Sequence, residues 1–124
     1  METFIKDNIA KINPHLAKEY GIKDSIILMY IIESIKYFKK NNKNQYDGKT
    51  WLPHTYEDFH NEFPFISKYK ISEILYRLCN GKKRKSKSQD LEFKPILVKD
   101  KFNEHPFDTR SWYAFDDENK WLSY

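Results

Sequence analysis

Apolar residues recur along the chain at helical spacing in its first two thirds and at strand spacing near its end. In residues 4–12, Phe4, Ile5, Ile9 and Ile12 share one helical face. Asn13-Pro14 interrupts that pattern, because the residue before a proline is pushed out of the helical region. Pro14 suits the first turn of a short helix that Asn13 caps, that carries Leu16, Ala17 and Tyr20, and that Gly21 ends. A longer helix is predicted from Asp24 or Ser25 to Lys40. Ile27, Tyr30, Ile31, Ser34, Ile35 and Phe38 lie on one of its faces, and Ile26, Leu28 and Ile32 widen the stripe. That width suits a central core helix wrapped on more than one side; the alternative is a dimer surface.

Tyr46-Asp47-Gly48-Lys49 has the chemistry of a turn leading into a short strand, Thr50-Trp51-Leu52, which Pro53 should stop or place at an edge. Thr55 and Asp58 form a capping pair for a helix with Tyr56, Phe59 and Phe63 inward, closed by Pro64. Ser67 caps the next helix, where Ile71, Ile74, Leu75 and Leu78 fall at i, i+3, i+4 and i+7. Its other face carries Lys68, Tyr69, Ser72, Glu73, Tyr76 and Arg77. Residues 93–99 and 111–115 are strand-like, the second with Trp112 and Ala114 on one face and Tyr113 and Phe115 on the other. The polar stretch between them, with Asn103 and Pro106, suits a hairpin tip. Asp116-Asp117-Glu118 opens a tail, and Trp121 and Tyr124 suggest that this tail docks.

Length and composition narrow the class. With 124 residues, 40% hydrophobic and 17% aromatic, the chain is one domain with enough apolar material for a core. The longest apolar run, residues 26–32, is far short of the ~20 needed for a membrane span. The start, Met1-Glu2-Thr3-Phe4-Ile5-Lys6-Asp7, has no secretory pattern, and a single cysteine, Cys79, allows no disulfide within the chain. An intracellular protein without membrane contact is expected. Net charge is +4, yet Lys82, Lys83, Arg84, Lys85 and Lys87 put five positive charges into six positions. The basicity is thus one local patch suited to phosphate contacts, on an otherwise nearly neutral body.

These elements suit an α+β, mainly helical fold: a winged helix-turn-helix with a C-terminal two-stranded wing. Particular stretches strengthen that expectation: Asn13-Pro14-His15-Leu16-Ala17 with Gly21-Ile22, then Asp47-Gly48-Lys49-Thr50-Trp51, Thr55-Tyr56 with Phe59, and Phe63-Pro64-Phe65-Ile66-Ser67. Ile96-Leu97, Asn103 and Asp108-Thr109-Arg110-Ser111-Trp112-Tyr113 follow. In order and spacing the chain resembles the winged-helix DNA-binding domains of bacteriophage and mobile-element replication proteins, the replisome organisers. The resemblance implies N-terminal helices in residues 1–45, a helix-turn-helix in 55–79, a basic loop in 80–95, a wing in 96–115 and a tail in 116–124. It also implies a recognition helix in 67–79, double-stranded DNA as partner, and a role in replication initiation or regulation in the bacterial cytoplasm. On that basis Lys68, Tyr69, Lys70, Ser72 and Glu73 face base edges from the helix, with Tyr76 and Arg77 nearer the phosphates, while Lys99 and Lys101 reach the backbone from the wing. Lys82, Lys83, Arg84, Lys85 and Lys87 add phosphate contacts.

Two departures from the family pattern keep a rival open. Residues 80–94 replace the usual short glycine turn, and Glu73 lies on the exposed helix face, which has one arginine. The family's larger members also add a helicase-loading domain with no counterpart here. The alternative is a small phage-encoded inhibitor, of the anti-CRISPR kind, that uses the winged-helix fold and the basic loop to bind a host or phage protein, a host nucleic-acid-processing protein above all. RNA binding through the basic loop ranks third. No enzyme, cofactor or metal is expected. His54, Asp58 and His60 lack the further ligands a tetrahedral site needs and suit surface histidines near a cap. Cys79 ends an apolar stripe, as a buried inert thiol would. Three glycines leave no glycine-rich phosphate loop. Trp51, Phe59, Phe63, Phe65 and Trp112 are expected in the core, and Asp116-Asp117-Glu118 as solvated charge.

Overall fold

The computed structural model describes residues 12–81, 93–102 and 107–124. The expected helix over 4–12, the five-residue basic cluster, and Asn103 and Pro106 fall outside the described residues, Ile12 apart. The fold is α+β, about half helical, with two small antiparallel sheets. In chain order come α1 (Pro14–Tyr20), α2 (Ile22–Lys40), β1 (Gln45–Tyr46), β2 (Lys49–Thr50) and β3 (Leu52–His54). They are followed by α3 (Tyr56–Glu62), α4 (Lys68–Asn80), β4 (Leu97–Asp100), β5 (Ser111–Phe115) and α5 (Glu118–Trp121).

Local chemistry sets most boundaries. The Asn13 side chain accepts from the backbone N–H groups of His15 and Leu16, satisfying two of the donors that a helix start leaves open. Gly21, at φ 94°, ends α1 and starts α2 directly: its N–H donates to Ala17 and its carbonyl accepts from Ser25. Helix α2 therefore begins before Asp24, and the Ser25 hydroxyl donates back to Ile22 instead of capping. Asp47 and Gly48, both at positive φ, make the two-residue turn that joins β1 to β2. The strand expected at Thr50-Trp51-Leu52 is split, with Thr50 in this hairpin and Leu52 opening β3. Proline fits β3 because that strand is an edge.

Strands β3, β5 and β4 form one antiparallel sheet in that order. Leu52 pairs with Tyr113 and Leu97 with Phe115; these four face the helices. Trp112 and Ala114 point the other way and join Trp51, Val98 and Phe102 in a second, smaller apolar cluster. The two tryptophans thus pack across the sheet from α2, not beside it. Residues 93–96 remain outside β4, with Phe93 in an isolated bridge.

Helix α2 is the core's axis. Helices α1 and α4 and strands β2 and β3 all pack on it, and Ile26, Leu28 and Ile32 are buried as fully as Ile27 and Ile31. The wide stripe is covered by the chain itself, so it offers no dimer surface at Ile26 or Leu28. The tail docks as expected: Trp121 is buried and stacks on Phe115 with ring centroids 5.5 Å apart. Glu118 is not solvated charge. Its carboxylate accepts from the Thr50 N–H at 2.7 Å and from Lys39 at 3.0 Å, and these bonds outweigh burial to hold its pKa below the usual range.

Candidate nucleic-acid interface

Helix α4 is set on the core by its apolar stripe. Ile71, Ile74, Leu75 and Leu78 are buried, and the Ser67 hydroxyl caps the helix by accepting from Lys70 N–H at 3.1 Å. At 100° per residue, positions 69, 73, 76 and 80 lie opposite that stripe. Tyr69 is 75% exposed and Tyr76 69%, with the half-exposed Glu73 between them. Lys68 and Lys70 stand on either side of Tyr69 in the first turn. Lys68 makes an exposed ion pair with Glu57 at 3.1 Å, worth little because both partners are solvated. The Ser72 hydroxyl donates to the Tyr69 carbonyl.

Arg77 does not face outward with them. Its guanidinium turns inward and grips Asp24 of α2 with two hydrogen bonds, Nε to Oδ2 at 3.1 Å and Nη2 to Oδ1 at 2.8 Å. The arginine side chain is 17% exposed and the aspartate 8%. Glu73 stands 3.7 Å from the same guanidinium. A charge pair this buried and this well matched leaves the arginine committed to α2. The arginine expected to face DNA is thus engaged with α2, and the pair ties α4 to the core helix.

Three other side chains of this surface lie where the sequence did not put them. Tyr56, expected inward, is exposed, and forms the wall between two shallow depressions of about 380 and 360 Å³. Ser72, Glu73, Tyr76 and Arg77 complete the first, while Lys68, Thr109 and Ser111 line the second. Phe65, expected in the core, is 56% exposed in the turn between α3 and α4, where Ile66 takes the inward place. His54, expected at the surface, is buried: its Nε2 accepts from the Tyr30 hydroxyl at 2.7 Å and its Nδ1–H donates to the Pro53 carbonyl. Burial holds its pKa below the usual histidine range, against the pull of the Pro53 carbonyl and Asp58. The Asp58 carboxylate closes the capping box on Thr55, and His60 Nδ1 meets the Ile66 carbonyl at 2.7 Å. These three side chains are used structurally, and among the described residues no group of three or more His, Cys, Asp or Glu could hold a metal ion.

Lys99 on β4 and Lys101 just after it are exposed. Lys99 lies near Cys79, a half-buried thiol whose pKa burial pushes up and Lys99 partly restores. The basic cluster belongs to the segment that follows α4. A Cβ on Gly81 would lie 2.9 Å from the Phe93 carbonyl oxygen, so the residues flanking that segment meet at the C-terminal end of α4. Among the described residues no helix is long and apolar enough to cross a membrane. Sequence periodicity gave no sign of Asp24, Tyr56 or Phe65 at this surface; the chemistry of the Thr55 cap, which sets Tyr56 at the first helical position, was the one available hint. No family model, curated protein or solved structure matches the chain.

Proposed function

We propose that this chain is a winged helix-turn-helix protein that binds double-stranded DNA, with α4 as its recognition helix and the β4–β5 hairpin as its wing. The observation that carries the reading is the outer line of α4, with Tyr69 and Tyr76 exposed along it and Lys68 and Lys70 flanking its first turn. A B-DNA major groove ~12 Å wide admits such a helix, with the two lysines toward the phosphate walls. The order β3, α3, α4, β4, β5 and the sheet order β3-β5-β4 support the same architecture. Exposed Lys99 and Lys101 suit backbone contacts from the hairpin. The resemblance to phage and mobile-element replication proteins makes replication initiation or regulation in a bacterial cell the setting. Binding to a random duplex, followed by fluorescence anisotropy at two salt concentrations, is expected to weaken steeply with salt. The double variant Lys68→Gln and Lys70→Gln should weaken it further on every sequence. Salt-independent binding, or none, refutes the proposal.

A protein-docking reading has one observation in its favour. Glu73 sits between Tyr69 and Tyr76 on the outer line, where a negative charge repels phosphate and tyrosine is one of the residue types enriched in the hot spots of protein interfaces. A stoichiometric, nuclease-resistant partner whose capture requires Tyr69 and Tyr76, together with absent DNA affinity, is the outcome that selects it.

A further inference from the structure

We infer that α4 reads pyrimidines in the major groove, thymine through its 5-methyl group and cytosine through its N4 amino group, in place of guanine; this rests on the DNA-binding reading above. Guanine is most often read by an arginine or lysine that spans its O6 and N7 acceptors, and the outer line of α4, positions 69, 73 and 76, carries neither. The single arginine of α4, Arg77, is turned into the core and held by both carboxylate oxygens of Asp24. Lys68 and Lys70 lie about 100° to either side of Tyr69, so they face the walls of a groove that Tyr69 enters. What remains on the outer line is Tyr69, Glu73 and Tyr76, with Ser72 beside it.

Each of the three outer side chains has a definite partner in the groove. The exposed rings of Tyr69 and Tyr76 offer apolar CH edges, which match the one apolar group on the groove floor, the thymine methyl. The spacing of seven residues puts both rings on one face, two helical turns apart. Glu73 lies between them, is an acceptor only, and is matched by the single amino donor of cytosine N4. That pairing also turns its negative charge to use, since an acceptor facing a donor is the one arrangement in which a carboxylate is favourable in the groove.

The experiment selects bound sequences from a randomised duplex pool, then rebuilds the best site with deoxyuridine for thymine. Removing a contacted methyl is expected to weaken binding about fourfold per group. Tyr69→Ala and Tyr76→Ala should bind more weakly and become insensitive to that change, with unaltered thermal melts because both side chains are exposed. Glu73→Gln should shift the selected base from cytosine to adenine, since a glutamine amide matches adenine N6 and N7. A selected site that is insensitive to deoxyuridine but weakened by 7-deazaguanine overturns the inference and leaves DNA binding standing. No sequence enriched above non-specific affinity overturns the inference and the DNA-reading role together.

Discussion

Arg77 and Asp24 are 53 residues apart, and no local pattern connects them. Helical spacing puts Arg77 on the flank of α4, from which a long side chain can go either way; the buried carboxylate on α2 decides the direction. Removing Arg77 leaves the Asp24 carboxylate buried without its partner, and removing Asp24 leaves the guanidinium only its longer contact with Glu73, each at a cost of roughly 2–4 kcal/mol. Arg77→Ala and Asp24→Asn are each expected to lower stability by that amount in denaturant melts, and the double variant should cost much less than their sum. Additive losses would show that the two groups do not act as a pair. His54 gives a second test at this scale. Its folded pKa lies below its unfolded value, so the unfolded chain takes up a proton that the buried ring refuses. Stability is therefore full above about pH 6.5 and falls as pH drops below it, with a slope of up to about 1.4 kcal/mol per pH unit. Glu118, lowered from a carboxylate value, adds its own loss only in more acid solution. Urea midpoints from pH 8 to 5.5 should decline in the wild type and flatten in His54→Gln, whose amide can still accept from Tyr30.

At the scale of elements, α4 is held to the core through four side chains. Leu75 is buried between the helix and its neighbours, and Leu75→Ala is expected to cost about 2–5 kcal/mol. A loss below about 0.5 kcal/mol in denaturant melts would mean that this face does not carry the helix. The same stripe explains what could be read from the sequence. Ile71, Ile74, Leu75 and Leu78 repeat within one element, and Asn13, Thr55 and Ser67 cap through bonds to residues two or three positions away, so both signals are local. The alternation at Trp112-Tyr113-Ala114-Phe115 was legible for the same reason. What covers each face was not. Tyr56 and Phe59 both suit an inward position, and only the packing of α3 against β3 and α4 exposes one and buries the other. Ile26 and Leu28 read as core, and an interface stays open as the alternative until α1, the sheet and α4 are in place. His54 reads as a cap neighbour until Tyr30, 24 residues earlier, supplies its hydrogen bond. The outer line of α4 was visible as a set of residues, yet its chemistry changed once Arg77 left it.

Across the whole molecule, charge is arranged in two places that a DNA ligand would feel differently. One is the outer face of α4 with Lys68 and Lys70. The other is the segment carrying Lys82, Lys83, Arg84, Lys85 and Lys87, whose flanking residues meet where α4 ends and the chain turns toward β4. Phosphates recur along any duplex whatever its sequence, so five charges within six positions of the chain suit contacts that carry no sequence information. Replacing all five by glutamine should weaken binding to a selected site and to random duplex by the same factor, leaving their ratio unchanged. Every phosphate that the variant no longer neutralises should reduce the slope of log K against log salt by about 0.9. Tyr69→Ala or Tyr76→Ala should do the reverse, lowering the ratio while the slope stays put. The two effects are independent only if the segment and the helix face engage separate parts of the ligand. A five-site variant whose sequence preference fell along with its affinity would place the basic segment in the groove itself. A variant with unchanged weak binding would remove these residues from any contact with DNA, and a partner protein would then be the remaining ligand for that segment.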